Sequence, residues 1–182
     1  MRRVKLRRVI EASLLLAGGF VLHQIMPPLI AGMKPDMSLL MLFVVVLLYP
    51  EKKLTLLSGL VTGVISALTT TFPGGQVANM IDKPITAFSV LFMILLAEHL
   101  KLPMKFKLSV IGVLGTIISG SVFLGAASMM VSLPQSFVVL FMSVVLPAAL
   151  LNTGFLYAIY PIVIQVKKLL PEYDMGSEKE AA

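Results

Sequence analysis

The 182-residue sequence contains no cysteine and no tryptophan, and only 13% of its residues are charged. Without cysteine there is no disulfide framework, no thiolate metal site and no cysteine nucleophile. The charged fraction is about half of the roughly 25% found in soluble domains. Hydrophobic residues make up 58% of the chain. A water-soluble globule cannot bury that much apolar surface, so the composition predicts an integral membrane protein.

Motifs that carry catalytic chemistry are also missing from the sequence. There is no Gly-x-x-x-x-Gly-Lys-Ser/Thr loop for a nucleotide, no Gly-x-Ser-x-Gly elbow and no His-Glu-x-x-His helix. The two histidines, His23 and His99, fall at opposite predicted membrane faces and cannot share a metal ion. The sequence therefore predicts a protein that is not an enzyme and has no cofactor and no metal site.

Six apolar segments fill most of the chain. A helix needs about 20 residues to cross ~30 Å of hydrocarbon, so the shorter segments must recruit flanking residues. The first follows five basic residues but has no small-x-small cleavage site, which indicates a retained helix rather than a removed signal. The segments lie at residues 9–26, 36–49, 54–71, 84–97, 108–131 and 136–166. This pattern predicts an all-α, polytopic membrane protein with six transmembrane helices.

The last apolar segment contains Pro147, which removes a backbone donor and favours a break in a helix. The piece before it, residues 136–146, reaches only about 16 Å and cannot span a membrane. We expect it to form a short lid or re-entrant segment before the sixth helix.

The distribution of basic residues predicts the orientation. With six crossings both termini lie on one side, and thirteen basic residues then fall on that side against only Lys34 and Lys83 on the other. The positive-inside rule places the thirteen in the cytoplasm. The net charge of +6 therefore indicates orientation and contact with lipid, not a nucleic-acid partner. We expect one transmembrane domain over residues 1–170 and a polar cytoplasmic tail over 171–182.

Small residues recur every four positions in two predicted helices. Gly59, Gly63 and Ala67 form one stripe, and Gly112, Thr116 and Gly120 form another. Such stripes allow close backbone approach, and we predict that they pack helices together inside the bundle.

All nine acidic residues fall near predicted helix ends or in aqueous segments. Secondary transporters usually keep an ionisable residue within the bilayer to couple ion movement to transport. The sequence thus predicts no internal source of energy for moving a solute.

Polar residues on the predicted outer side are few and concentrated, and they suit a small zwitterion. Its ammonium needs a carboxylate, from Asp82 or Asp36, and its carboxylate needs a cation, from Lys83 or Lys34. Methionine and phenylalanine side chains are candidates for an apolar wall: Met33, Met129, Met130, Phe72 and Phe88. The candidate binding residues are His23, Lys34, Asp36, Gln76, Asn79, Asp82, Lys83, Asn152 and Thr153.

Structural roles explain several of these residues equally well. Asp36 and Asp82 each stand at a predicted helix start, Asp82 with Pro84 in the first turn, so both fit helix N-caps. Lys83 fits a solvated ion-pair partner, and Asn152 fits a helix-to-helix hydrogen bond.

Several segments resemble one family closely. They include Lys34-Pro35-Asp36, the run from Asn79 to Pro84, and residues 17–28, 49–53, 69–74 and 146–153. These segments are similar to bacterial tryptophan transport proteins, which in turn resemble substrate-binding (S) components of energy-coupling factor transporters. The resemblance covers most of residues 9–168.

The resemblance implies a six-helix protein of the bacterial cytoplasmic membrane that captures tryptophan from outside. A separate transmembrane coupling subunit and two ATPase subunits would drive its release. S components typically dock the coupling subunit through an Ala-x-x-x-Ala stripe on helix one, and the matching positions here are Ser13 and Ala17. The sequence also resembles the rod-shape-determining membrane scaffolds of cell-wall elongation, and an S component for a vitamin is a third possibility.

Overall fold

The computed structural model describes residues 6–27 and 35–169, and over these ranges it contains helices and no strand. Four of the helices are long and apolar enough to cross a membrane, namely Leu6–Ile25, Gly75–His99, Met104–Ser128 and Phe137–Leu169. The helices are α1 (Leu6–Ile25), α2 (Met37–Leu48), α3 (Lys52–Thr69), α4 (Gly75–His99), α5 (Met104–Ser128) and α6 (Phe137–Leu169). The all-α, multi-pass architecture is confirmed, and the predicted tail, 171–182, lies outside the described residues.

Helix α2 lies at the centre of the bundle. Residues 37–46 are all buried, and they are almost entirely apolar on every face, as expected of a helix surrounded by others. Helix α1 packs against α2 and α3 but buries only Ala12, Leu16 and Gly19. Most of the α1 surface is therefore free to face lipid.

The predicted small-residue stripes are contacts between helices. A Cβ atom on Gly59 would lie 2.9 Å from the Cα of Pro84, so α3 and α4 meet at backbone distance. A Cβ atom on Gly63 would lie 3.1 Å from the Asn79 carbonyl oxygen, which also belongs to the backbone of α4. On α5, Gly112 lies against Thr153 and Gly120 against Val145 of α6. The packing prediction is confirmed.

Helix α4 begins nine residues before Pro84, at Gly75. The preceding Gly74 has a left-handed backbone (φ 69°), which lets the chain turn sharply into the helix. The prediction that the helix starts near Pro84 is wrong, because proline within a transmembrane helix is tolerated where neighbouring helices pack against it. Asp82 therefore lies seven residues inside α4, about 10 Å along its axis.

Helix α6 runs without a break from Phe137 to Leu169. The prediction of a separate lid or re-entrant segment over 136–146 is wrong. A π-helical turn, Phe141–Val145, precedes Pro147. A wider turn leaves room for the proline ring and offsets its missing N–H, so the helix continues.

A cluster of charged residues joins three parts of the chain at one end of the bundle. Tyr49, which lies between α2 and α3, donates a hydrogen bond to Glu11 of α1. Lys167 near the end of α6 donates to the Tyr49 hydroxyl at 2.9 Å, and Arg8 pairs with Glu51. One end of the bundle therefore holds the start of α1, the α2–α3 connection and the end of α6. It is here called the basic end.

Candidate binding cavity

A cavity of about 270 Å³ is lined by residues from all six helices. Its volume is close to the lower end of the ~300–1,000 Å³ range of small-molecule pockets. The helix ends that contribute to it, such as the end of α1 and the start of α2, are those opposite the basic end. The site is therefore near one surface of the bundle and large enough for a single small solute.

The most deeply buried charge in the cavity is Asp82, whose side chain is 0% exposed. The Nζ of Lys83 lies 2.8 Å from its Oδ2. Ser119 of α5 donates to the same oxygen at 2.8 Å, and Thr86 donates to Oδ1 at 2.7 Å. These three donors compensate the carboxylate for the water it loses on burial.

Lys83 connects this buried acid to a second one. Its Nζ lies 3.3 Å from Oδ2 of Asp36 at the start of α2, and the lysine side chain is only 4% exposed. The Asp36 side chain is 31% exposed, and its Oδ1 lies 3.7 Å from Nδ1 of His23. Asp36, Asp82 and Lys83 are here called the charged cluster. Within it, Asp36 is the acid with space around it.

The sequence predicted a helix-capping role for both acids, and the structure shows that role for only one of them. Asp36 does cap α2, because its Oδ1 accepts the N–H of Leu39 at 3.0 Å. The capping alternative for Asp82 is wrong, since Asp82 lies in the interior of α4. The expectation that every acid falls near a helix end or in an aqueous segment is wrong for Asp82 for the same reason. An ionisable residue inside the bilayer normally marks a functional site.

Asn152 of α6 closes the polar side of the cavity. Its Oδ1 accepts the backbone N–H of Asp36 at 3.0 Å, and its Nδ2 donates to the hydroxyl of Thr116 at 3.3 Å. Asn152 is 1% exposed. The predicted helix-to-helix hydrogen bond is present, and the same side chain also lines the cavity.

An apolar cluster forms another part of the cavity wall. The rings of Phe72 and Phe123 meet edge to face, with centroids 5.3 Å apart. Side chains from α5 and α6 pack against them, namely Leu124, Leu140 and Val145. These five residues are here called the apolar cluster. One cavity thus presents both charged and aromatic surfaces.

The predicted wall is only partly correct. Phe72 lines the cavity, but Phe88 and Met130 are exposed on the outside of the bundle, and Met129 is 89% exposed. Met33 lies outside the described residues.

Six of the nine predicted binding residues line the cavity: His23, Asp36, Asn79, Asp82, Lys83 and Asn152. Gln76 is exposed on the first turn of α4 and does not line it. Thr153 lies against Gly112, with its hydroxyl bonded to the Ala149 carbonyl at 2.6 Å, and does not line it either. Lys34 lies outside the described residues.

Sequence reasoning missed the contribution of α5. Thr116, Ser119 and Phe123 all line the cavity. Their spacing of three and four residues places them on one helix face, and this spacing is visible in the sequence. The signal was available in the sequence, because two hydroxyls and a ring fall on one face of a largely apolar helix.

The apolar bundle and its mixed charged and aromatic cavity are those of a multi-pass membrane protein of the solute-transport class. The family model described as tryptophan transporter TrpP matches residues 5–169. The chain belongs to this family, which confirms the resemblance seen in its sequence and favours it over the rod-shape-determining scaffolds.

Curated relatives agree with the family match. A probable tryptophan transport protein of Bacillus subtilis is 49% identical over 160 residues, which cover 88% of this chain and 92% of the relative. Proteins with the same description in Clostridium acetobutylicum and Clostridium perfringens are 48% and 40% identical, each match covering 87% of the relative and 82% and 83% of this chain. No solved structure matches the chain. The family and these relatives are transport proteins, in agreement with the prediction that the chain is not an enzyme.

Proposed function

We propose that the protein captures tryptophan from outside a bacterial cell and holds it in the cavity. The observation that carries this proposal is the coexistence of the charged cluster and the apolar cluster in one cavity of about 270 Å³. A zwitterion with an aromatic side chain needs both surfaces at once. The printed descriptions of the relatives, probable tryptophan transport proteins, support this choice of substrate.

The proposed orientation places the basic end in the cytoplasm of the cell and the cavity toward the outside. Lys52 and Lys53 begin α3, and Lys167 and Lys168 end α6, all at the basic end. Lys83 is the basic residue of the described ranges that lines the cavity instead, and it is neutralised by two acids. The positive-inside rule supports this orientation in a bacterial cytoplasmic membrane.

Release into the cell is proposed to depend on a transmembrane coupling subunit and ATPase subunits of the energy-coupling factor type. Ser13 and Ala17 are both exposed on α1, where a partner helix can reach them. The Ser13 hydroxyl donates to the Val9 carbonyl at 2.8 Å. Because that hydroxyl is satisfied within its own helix, the stripe offers the small, smooth surface on which membrane helices pack.

Binding can be measured directly through the fluorescence of the ligand. The chain contains no tryptophan, so the indole fluorescence of an added tryptophan has no protein background at wavelengths where tyrosine does not absorb. We expect the purified protein to bind tryptophan and to bind phenylalanine and riboflavin more weakly. Phe123→Ala should weaken tryptophan binding about tenfold, since an aromatic pair is worth about 0.5–1.5 kcal/mol beyond its buried area.

Phe88→Ala is the matched control, because Phe88 lies on the outside of α4 and does not line the cavity. It should bind tryptophan as the wild type does. If the wild-type protein gives no signal with tryptophan at tens of micromolar, the proposed substrate is wrong.

The proposed coupling partners require a separate test in cells. Ala17→Leu places a bulky side chain on the exposed stripe and should abolish uptake while leaving tryptophan binding to the purified protein unchanged. Gly125→Leu adds the same bulk to α5 at a position with nothing within 4 Å of the added Cβ, and it should leave uptake intact. Normal uptake by Ala17→Leu would contradict docking at this stripe.

A further inference from the structure

We propose that the cavity recognises the two ends of an α-amino acid separately, with Asp36 binding its ammonium group and the Asn152 amide binding its carboxylate. This inference rests on the proposed function, since it assumes that the cavity holds an amino acid. It makes Asn152 the residue that selects against amines with the same aromatic group, whereas Asp36 selects against the corresponding acids.

The orientation of the Asn152 amide is fixed by its surroundings. The backbone N–H of Asp36 can only donate, so the Asn152 atom that faces it at 3.0 Å must be the oxygen. The amide nitrogen consequently points to the other side, toward Thr116. The start of α2 thereby determines which end of the Asn152 amide is presented as a donor.

One hydrogen of this amide has no acceptor among the residues that the structure describes. The nitrogen carries two hydrogens, and the structure gives one acceptor for them among the described residues, the hydroxyl of Thr116 at 3.3 Å. Asn152 is 1% exposed and lines the cavity. A buried donor without an acceptor is costly, and a ligand oxygen in the cavity would satisfy it.

Lys83, in contrast, has no hydrogen left for a further hydrogen bond. Its ammonium group carries three hydrogens, and three oxygens lie within hydrogen-bond distance: Asp82 at 2.8 Å, Asp36 at 3.3 Å and Ser119 at 3.4 Å. A ligand carboxylate that bound Lys83 directly would have to displace one of them.

The same comparison of burial and hydrogen bonds identifies the carboxylate that binds the ligand ammonium group. Asp82 already accepts from Lys83, Ser119 and Thr86 and is 0% exposed, whereas Asp36 is 31% exposed. Asp36 is therefore the carboxylate that a ligand ammonium can reach. Because Asp36 and Asn152 are joined by a hydrogen bond, they lie side by side, as the two groups on one α-carbon require.

The inference is tested by Asn152→Asp together with a pair of ligands. Aspartate keeps an oxygen for the Asp36 N–H but replaces the amide donor with a negative charge, so tryptophan binding should weaken by about a hundredfold. Tryptamine has the same ring and ammonium but no carboxylate, and its binding should be unchanged or tighter. Thr153→Ala, at the neighbouring residue that packs against Gly112, is the control and should bind tryptophan normally.

The wild-type protein gives a second readout that does not depend on a variant folding. It should bind tryptamine and indole-3-propionate at least tenfold more weakly than tryptophan, since each lacks one of the two recognised groups. Equal binding of tryptamine and tryptophan by the wild type would overturn the inference. So would a folded Asn152→Asp variant, verified by its melting temperature, that retains tryptophan binding within twofold. Failure of the wild type to bind tryptophan would instead overturn the proposed function itself.

Discussion

Replacing Lys83 with methionine tests whether the charged cluster holds the bundle together. Methionine has a similar length but no charge, so it leaves Asp82, which is 0% exposed, with only the hydroxyls of Ser119 and Thr86. Removing one partner of a buried ion pair typically costs about 3–5 kcal/mol. For a chain of this size each kcal/mol lowers the melting temperature by about 2–4 °C, so Lys83→Met should melt about 6–20 °C below the wild type.

A second substitution separates lost charge balance from lost packing. Asp82→Asn keeps the shape of the side chain and an oxygen for a hydroxyl donor, but it removes the unpaired charge. The double variant Asp82→Asn with Lys83→Met should therefore recover about 1–3 kcal/mol of the loss. Thermal unfolding in detergent, followed by far-ultraviolet circular dichroism, measures all four proteins. If the double variant melts as low as Lys83→Met alone, the two charges are not energetically coupled and the reasoning is refuted.

Two further predictions concern packing and pH. Gly59→Leu should destabilise the protein by about 1–3 kcal/mol, because its Cβ would lie 2.9 Å from the Pro84 Cα. The control variant Gly125→Leu should have the melting temperature of the wild type. Equal melting temperatures of the two variants would contradict the close α3–α4 contact. Burial and the hydrogen bond to Glu11 raise the pKa of Tyr49 above its ordinary 10. The folded protein then keeps a proton that the unfolded chain releases, so the stability that Tyr49 contributes falls as the pH rises above about 10. Melting temperatures of the wild type and Tyr49→Phe should converge there, and a constant difference would contradict the shift.

The helix boundaries show where sequence reasoning works and where it fails. The apolar segments predicted α1, α2, α3 and α5 closely, because apolar length decides which residues can lie in a bilayer. The errors at α4 and α6 both came from proline. Pro84 was read as a helix start and Pro147 as a break, yet α3 packs against the first and a π-helical turn, Phe141–Val145, precedes the second. Proline predicts the end or a break of an isolated helix well, but it predicts them less well inside a bundle, where neighbouring helices pack against it.

The sequence identified only part of the candidate site, because several of its contacts depend on how the helices pack. Asp36 and Asp82 were identifiable as rare charges on the predicted outer side, but which of them is buried depends on where α4 begins. Asn152 was identifiable as a polar residue in an apolar helix. Its partner, the Asp36 backbone, is 116 residues away in the chain, and no local pattern connects the two.

The sequence by itself determined that this chain lies in a membrane, that it crosses it several times and that its basic residues gather in the segments predicted to lie inside. These properties follow from composition and from the length of apolar segments, which act locally. The tertiary structure alone decided that the Asp82 side chain is fully buried and hydrogen-bonded while that of Asp36 stays 31% exposed. It also decided that the Asn152 amide nitrogen faces Thr116, another residue that lines the cavity. Burial and hydrogen-bond direction depend on neighbours from other helices, and those neighbours are set only when the helices pack.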